Sequence, residues 1–119
     1  MSGRVVHVND RVDGAVYIGR PVPSRGLSGS PFGNPFRVGR EGSRAVVLLR
    51  YADWLYHGPG LLRVLPDLRD KPLACWCRHD GQPETAETAC HGDVLLELLA
   101  NLTDDELRVM GEEPCARLP

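Results

Sequence analysis

LACWCRHDGQPETAETACHGDVLLELLANL, residues 73–102, decides the fold. Leu73 to Cys77 is a short apolar run after Pro72, which predicts a strand. Arg78 to Ala89 is polar and rich in turn formers, so it reads as a loop. Beyond it Val94, Leu95, Leu98, Leu99 and Leu102 recur at helical spacing and predict a buried amphipathic helix starting at His91 or Gly92. A strand handing over to a helix is the pattern of an α/β layer.

The flanking chain repeats that pattern. Upstream, Ser43 can cap a helix running to about His57, with Val47, Tyr51, Trp54 and Leu55 on its apolar face and Gly58-Pro59 as its stop. Gly60 to Leu65 adds a helical turn or two before Pro66, and Asp67 to Pro72 reads as a turn. Further upstream, Arg4 to Asn9 (RVVHVN) and Ala15 to Arg20 (AVYIGR) are β-branched runs that predict two strands. Downstream, Thr103 to Met110 predicts a short helix with Thr103 as cap and Glu106 at the capping-box position. The expected fold is a single α/β domain over residues 1–119, a small, mostly parallel sheet flanked by helices, with a core over about 4–102 and a short tail over 103–119. In open sheets of this kind ligands sit beyond the carboxyl ends of the strands. If the strands are parallel neighbours, the loops 21–42 and 78–90 share one rim.

Size and charge bound the function. A chain of 119 residues with 42% hydrophobic and 25% charged residues has room for one core and is neither disordered nor fibrous. No apolar run exceeds the five residues of Ala45 to Leu49, far short of the ~20 residues that span a bilayer, and Met1 to Asp10 lacks a signal-peptide pattern. The expectation is a cytoplasmic protein with no membrane role and with Cys75, Cys77, Cys90 and Cys115 reduced. A net charge of -2 excludes a general nucleic-acid coat. Charge is nevertheless unevenly spread: Arg20 to Arg44 holds five arginines against one glutamate, while Asp80 to Glu113 holds ten acids against one arginine. The first segment favours anions and the second is a solvated surface.

Two constellations carry chemistry. The segment PVPSRGLSGSPFGNPFRVGREG, residues 21–42, runs into the cap of the first long helix, where unpaired N–H groups favour an anion. Arg20, Arg40 and Arg44 would strengthen such a site, Gly33 allows close backbone approach, Asn34 offers an amide, and Phe36 offers an apolar wall for a base. That combination suits a nucleotide or another phosphorylated small molecule. It contains neither a Walker A loop nor a G-x-G-x-x-G fingerprint; Arg and Phe side chains that merely hold the loop down are the alternative. The second constellation is Cys75-x-Cys77 with Cys90-His91. Strand alternation turns Cys75 and Cys77 to one side, and Cys90 precedes a helix whose dipole favours a thiolate. Cys75, Cys77 and Cys90, with His91, His79, Asp93 or water in fourth place, can bind zinc or hold an iron-sulfur cluster. Without metal, Cys77 or Cys90 can act as a nucleophile with His91 as acid or base. Deaminase zinc chemistry fits badly, because H-x-E and P-C-x-x-C are both absent. His7, His57 and Cys115 are assigned no chemistry.

VYIGR (16–20), GNPF (33–36), the Arg44-bearing helix leading to Tyr51, LACWC (73–77) and CHGDVLLEL (90–98) together resemble a small domain of unknown function, family 4326, found in bacteria and their phages. The resemblance covers about residues 4–101. It implies that Arg20, Asn34, Cys75, Cys77, Cys90 and His91 belong to one recurring arrangement, with DGQPETAETA (80–89) as an expanded loop and Phe32-Gly33 where the pattern commonly has Trp-Gly. By association with phages it implies nucleotide metabolism or signalling, but it supplies no reaction. The functional expectation is therefore an enzyme that binds a phosphorylated nucleobase compound near Cys77, Cys90 and His91. The alternative is a sequestering module with structural cysteines or structural zinc.

Overall fold

The structure is a computed structural model that describes residues 3–58 and 60–112. Three strands, β1 (Val5–His7), β2 (Val16–Tyr17) and β3 (Leu73–Cys75), form one sheet in the order β1-β3-β2. Both outer strands run parallel to β3, with Val5 and Val16 each opposite Leu73. All three residues of β3 are buried, which is why it lacks polar alternation. Because the strands are so short, residues 8–15 suffice to return the chain from the end of β1 to the start of β2.

The strands are shorter than the sequence predicts, and local side chains explain two of the endings. After β1 the His7 imidazole accepts the Asn9 N–H at 3.0 Å and starts a 3-10 turn, Val8–Asp10. After β3 the Cys77 N–H turns to the Cys75 sulfur at 3.4 Å instead of a neighbouring strand.

Three helices flank the sheet: α1 (Arg44–His57), α2 (His91–Asn101) and α3 (Asp104–Glu112). Ser43 caps α1 by accepting the Val46 N–H at 3.3 Å, and Val47, Tyr51 and Leu55 form its buried face. Helix α2 lies close on the sheet because Gly92 has no side chain. A Cβ there would stand 2.9 Å from Ile18 Cδ1 and 3.1 Å from Val5 Cγ2.

Between α1 and β3 the chain makes two 3-10 turns, Leu61–Arg63 and Leu65–Leu68. Asp67 therefore belongs to helical backbone, where the sequence predicts an open turn. Pro66 fits there because its missing N–H falls in the first turn, where no partner is needed. The predicted reciprocal cap of α3 is present: Thr103 Oγ1 accepts the Glu106 N–H at 3.1 Å and Glu106 accepts the Thr103 N–H at 2.9 Å. Leu107 is fully buried, so α3 contributes to the core. Arg69 ties α2 to α3, donating to the carbonyls of Leu99 (2.7 Å) and Leu102 (3.0 Å) and to Asp104 (2.6 Å). No helix among the described residues is long and apolar enough to cross a membrane. Cys115 lies outside the described residues.

Candidate functional site

The parallel pairing of β2 with β3 sends residues 18–42 and 76–89 away from the same end of the sheet. Several hydrogen bonds then turn the first of these segments into a wall. The Ser30 N–H donates to the Gly19 carbonyl at 2.9 Å, Arg20 to the Phe36 carbonyl at 2.9 Å, and the buried Tyr51 hydroxyl to the Phe32 carbonyl at 2.6 Å. Gly33 fits because a Cβ there would lie 3.2 Å from both the Gly19 and Ser30 carbonyl oxygens. Asn34 Oδ1 accepts the Phe36 N–H at 2.9 Å, so its Nδ2 faces the other way.

Between this wall and β3 lies a cleft of about 650 Å³. Arg20, Asn34, Phe36, Arg44 and the Cys75, Cys77, Cys90 and His91 cluster all line it. Gly33 lies outside the lining and acts on wall packing. Arg40 also lies outside, exposed to solvent. A turn closed by the Gly39 N–H on the Gly42 carbonyl at 2.7 Å, with Glu41 accepting the Arg37 N–H at 2.8 Å, carries it away. Arg37 takes the place expected of Arg40, and no aspartate or glutamate among the described residues lines the cleft. Burial and the nearby charge of Arg37 lower the pKa of Arg20, which an anion would relieve.

The thiols of Cys75, Cys77 and Cys90 lie within 4.8 Å of one another, close enough to hold a metal ion. β3 delivers Cys75, the turn after it delivers Cys77, and the cap of α2 delivers Cys90. As that cap, the Cys90 sulfur accepts the Gly92 N–H at 3.3 Å while Asp93 accepts the Cys90 N–H at 2.9 Å. This is a capping box with sulfur in place of a hydroxyl. The Cys90 thiol sits 3.0 Å from the Cys75 sulfur. S–H donors from Cys75 and Cys90, aided by the Arg44 guanidinium 3.7 Å away, hold Cys77 well below the usual thiol range. As donor to Cys77, Cys75 is pushed up to about 11, and Cys90 is pushed up by its bonds to both neighbours. The Arg44 guanidinium thus stands as counter-ion beside the most acidic of the three thiols. Arg44 is fixed by a 2.8 Å bond to the Ala89 carbonyl.

Of the fourth-ligand candidates, His79 and Asp93 are committed to other partners, while His91 stands beside the thiols. His91 Nε2 donates to the Ile18 carbonyl at 2.7 Å, since a carbonyl can only accept. Its Nδ1 lone pair therefore faces inward, 3.6 Å from the Cys90 sulfur. Yet His91 is not part of the group whose donor atoms all lie within 4.8 Å of one another. Burial lowers its pKa and keeps it neutral, edge-on to Tyr51. Asp93 is spent on the Cys90 N–H and on Arg78, whose two bonds to it measure 2.6 Å. His79 pairs with Asp10 at 2.7 Å and stacks on His7.

Some lining residues escaped the sequence reading. Trp76 Nε1 donates to the Tyr17 hydroxyl at 2.9 Å, which donates onward to the Arg20 carbonyl at 2.6 Å. Both aromatics sit inside the quoted YIGR and CWC runs, but only the parallel pairing of β2 with β3 makes them neighbours. Arg78, which lies outside the lining but holds Asp93, has no local signal at all.

Fold and cleft together define a small α/β domain with three convergent thiols at the base of a cationic cleft. The chain belongs to the family described as Domain of unknown function (DUF4326), which matches residues 5–101. It is also similar to "Uncharacterized protein R718" of Acanthamoeba polyphaga mimivirus, 33% identical over 85 residues. That match covers 70% of this chain and 65% of the viral protein. No solved structure matches.

Proposed function

We propose that this domain is a metal-dependent enzyme acting on a phosphorylated nucleobase compound, with one zinc ion held by Cys75, Cys77 and Cys90. One observation carries the reading. Three sulfurs within 4.8 Å of one another face a cleft, and among the described residues no further Cys, His, Asp or Glu donor lies within that distance of all three. Structural zinc sites are closed by four protein ligands, whereas catalytic sites keep one position open. Sulfurs this close suit a single ion, with bonds of about 2.3 Å to each thiolate, better than a four-iron cluster, whose ligands spread over a cube.

When bound in such a site, zinc lowers the pKa of a coordinated water and polarises an oxygen. The chain's own residues supply the rest. Arg20, Arg37 and Arg44 favour an anion with no competing carboxylate in the lining. Phe36, Tyr17 and Trp76 offer apolar surface to a planar ring. A volume of about 650 Å³ lies within the ~300–1,000 Å³ range of small-molecule sites.

A second, metal-free reading rests on the Arg44 contact to the Cys77 sulfur at 3.7 Å, which suits a nucleophilic thiolate. Metal analysis of protein purified without chelators separates the two. The expected result is one zinc per chain, lost in Cys77→Ser and Cys90→Ser, with phosphorylated nucleobase compounds raising the melting temperature of the wild type. Protein that refuses zinc on reconstitution while remaining folded would overturn the metal reading in favour of the thiolate. Unfolding on chelation would assign zinc a structural role and favour a module that sequesters its ligand.

A further inference from the structure

Asn34 is a buried amide with one half unused. It is only 7% exposed, and its Oδ1 is occupied by the Phe36 N–H at 2.9 Å. Nδ2 has no hydrogen-bond partner among the described residues, although Asn34 lines the cleft. The orientation is chemical, since only the carbonyl oxygen can accept from an N–H. A buried donor without an acceptor is costly, so the site is built for something that supplies one.

Two guanidinium groups share the lining with that donor. Arg20 uses one nitrogen on the Phe36 carbonyl, on the same short loop as Asn34, and keeps further N–H donors. The Arg37 side chain has no partner among the described residues, and its charge is felt at Arg20. Donors dominate this corner, and the one acid nearby, Glu41, is occupied by the Arg37 backbone N–H and stays outside the lining. An oxygen-rich dianion satisfies all three residues at once; a neutral ring edge, which carries donors as well as acceptors, does not.

We infer that Asn34, Arg20 and Arg37 form the seat of a phosphoryl group. These residues would then hold the phosphate monoester end of the ligand, leaving the thiol-lined part of the cleft for the rest of it. The inference rests on the functional reading above and assigns which residues take which part of the ligand.

Calorimetric titration of the zinc-reconstituted protein with inorganic phosphate, uridine 5′-monophosphate and uridine tests it, with the apo and loaded melting temperatures recorded alongside. Both phosphate-bearing probes should bind and uridine should bind at least tenfold more weakly. Arg37→Ala removes only an exposed side chain, so its melting temperature should stay unchanged while affinity for both phosphate probes falls about tenfold. Asn34→Asp keeps an oxygen for the Phe36 N–H but points a carboxylate oxygen into the seat, so it should lose more affinity than Arg37→Ala while retaining zinc. Binding to inorganic phosphate alone would identify a phosphate site with no nucleobase partner, overturning the ligand assignment. If the wild type binds uridine 5′-monophosphate and Arg37→Ala binds it equally well, the seat lies elsewhere and this inference fails while the functional reading survives. If no phosphate-bearing probe binds the wild type, the functional reading falls as well. Should Asn34→Asp fail to fold, Arg37→Ala still decides.

Discussion

Replacing Asp93 by alanine should damage both stability and the thiol group, because one carboxylate accepts three hydrogen bonds from two partners. Arg78 grips it with two bonds of 2.6 Å, and the Cys90 N–H donates to it at 2.9 Å. The pair is well shielded, with side chains 10% and 15% exposed. Leaving one member of a buried pair alone costs about 3–5 kcal/mol, and losing a cap costs about 1 kcal/mol. Arg78 retains the Thr88 carbonyl at 3.1 Å and some water, so the low end of that range applies, about 3 kcal/mol for the pair and about 4 kcal/mol with the lost cap. Urea unfolding reads this directly, and for a domain of this size the melting temperature should fall by roughly 15 °C. Asp93→Asn keeps an acceptor for Cys90 and should lose less. The double replacement Arg78→Met with Asp93→Leu should recover at least half of the loss, because no uncompensated charge remains. Zinc affinity of Asp93→Ala should drop about tenfold, as the residue that orients a ligand is gone. A loss below about 1 kcal/mol in the single variant, or no recovery in the double, would refute the claim that this pair holds the α2 cap in place.

Three further outcomes follow from the geometry. Zinc affinity should rise steeply with pH. Cys75, pushed up to about 11, and Cys90, pushed up as well, carry protons at neutrality that the metal must displace. Loss of two protons gives about a hundredfold change per pH unit between pH 6 and 8, measurable by chelator competition, and a flat profile would contradict the protonation pattern. Tyr51→Phe should cost about 1–3 kcal/mol in urea unfolding, since the buried Phe32 carbonyl loses its 2.6 Å donor; a neutral result would mean the wall is held by other bonds. Gly92→Ala should cost about 1–3 kcal/mol by forcing α2 off Ile18 and Val5, and an unchanged melting temperature would show that the helix can shift freely.

Much of the fold is written locally. Helix α1 begins at Ser43 and ends at His57 as its cap and its Gly58 stop predict, and α2 and α3 begin where the sequence places them. A cap and an apolar stripe act within a few residues, so a linear reading can see them. The same holds for the nearness of Cys75 and Cys77, separated by one residue. The strands are shorter than propensity predicts because β-propensity registers side-chain preference, while the ladder ends when a backbone N–H finds another acceptor, as Cys77 does on the Cys75 sulfur.

What the sequence determined by itself, then, is which segments are helices or strands and which side chains are chemically capable. Tertiary structure alone decided their company. Placing β3 between β1 and β2 set the Arg-bearing wall beside the thiols. A turn at residues 39–42 put Arg37 into the cleft and Arg40 outside it. Partners remote in the chain drew His79 to Asp10 and Asp93 to Arg78, leaving three thiols with an open side. The physical reason is that hydrogen bonds and ion pairs are settled by distance in space, and separation along the chain carries no record of it.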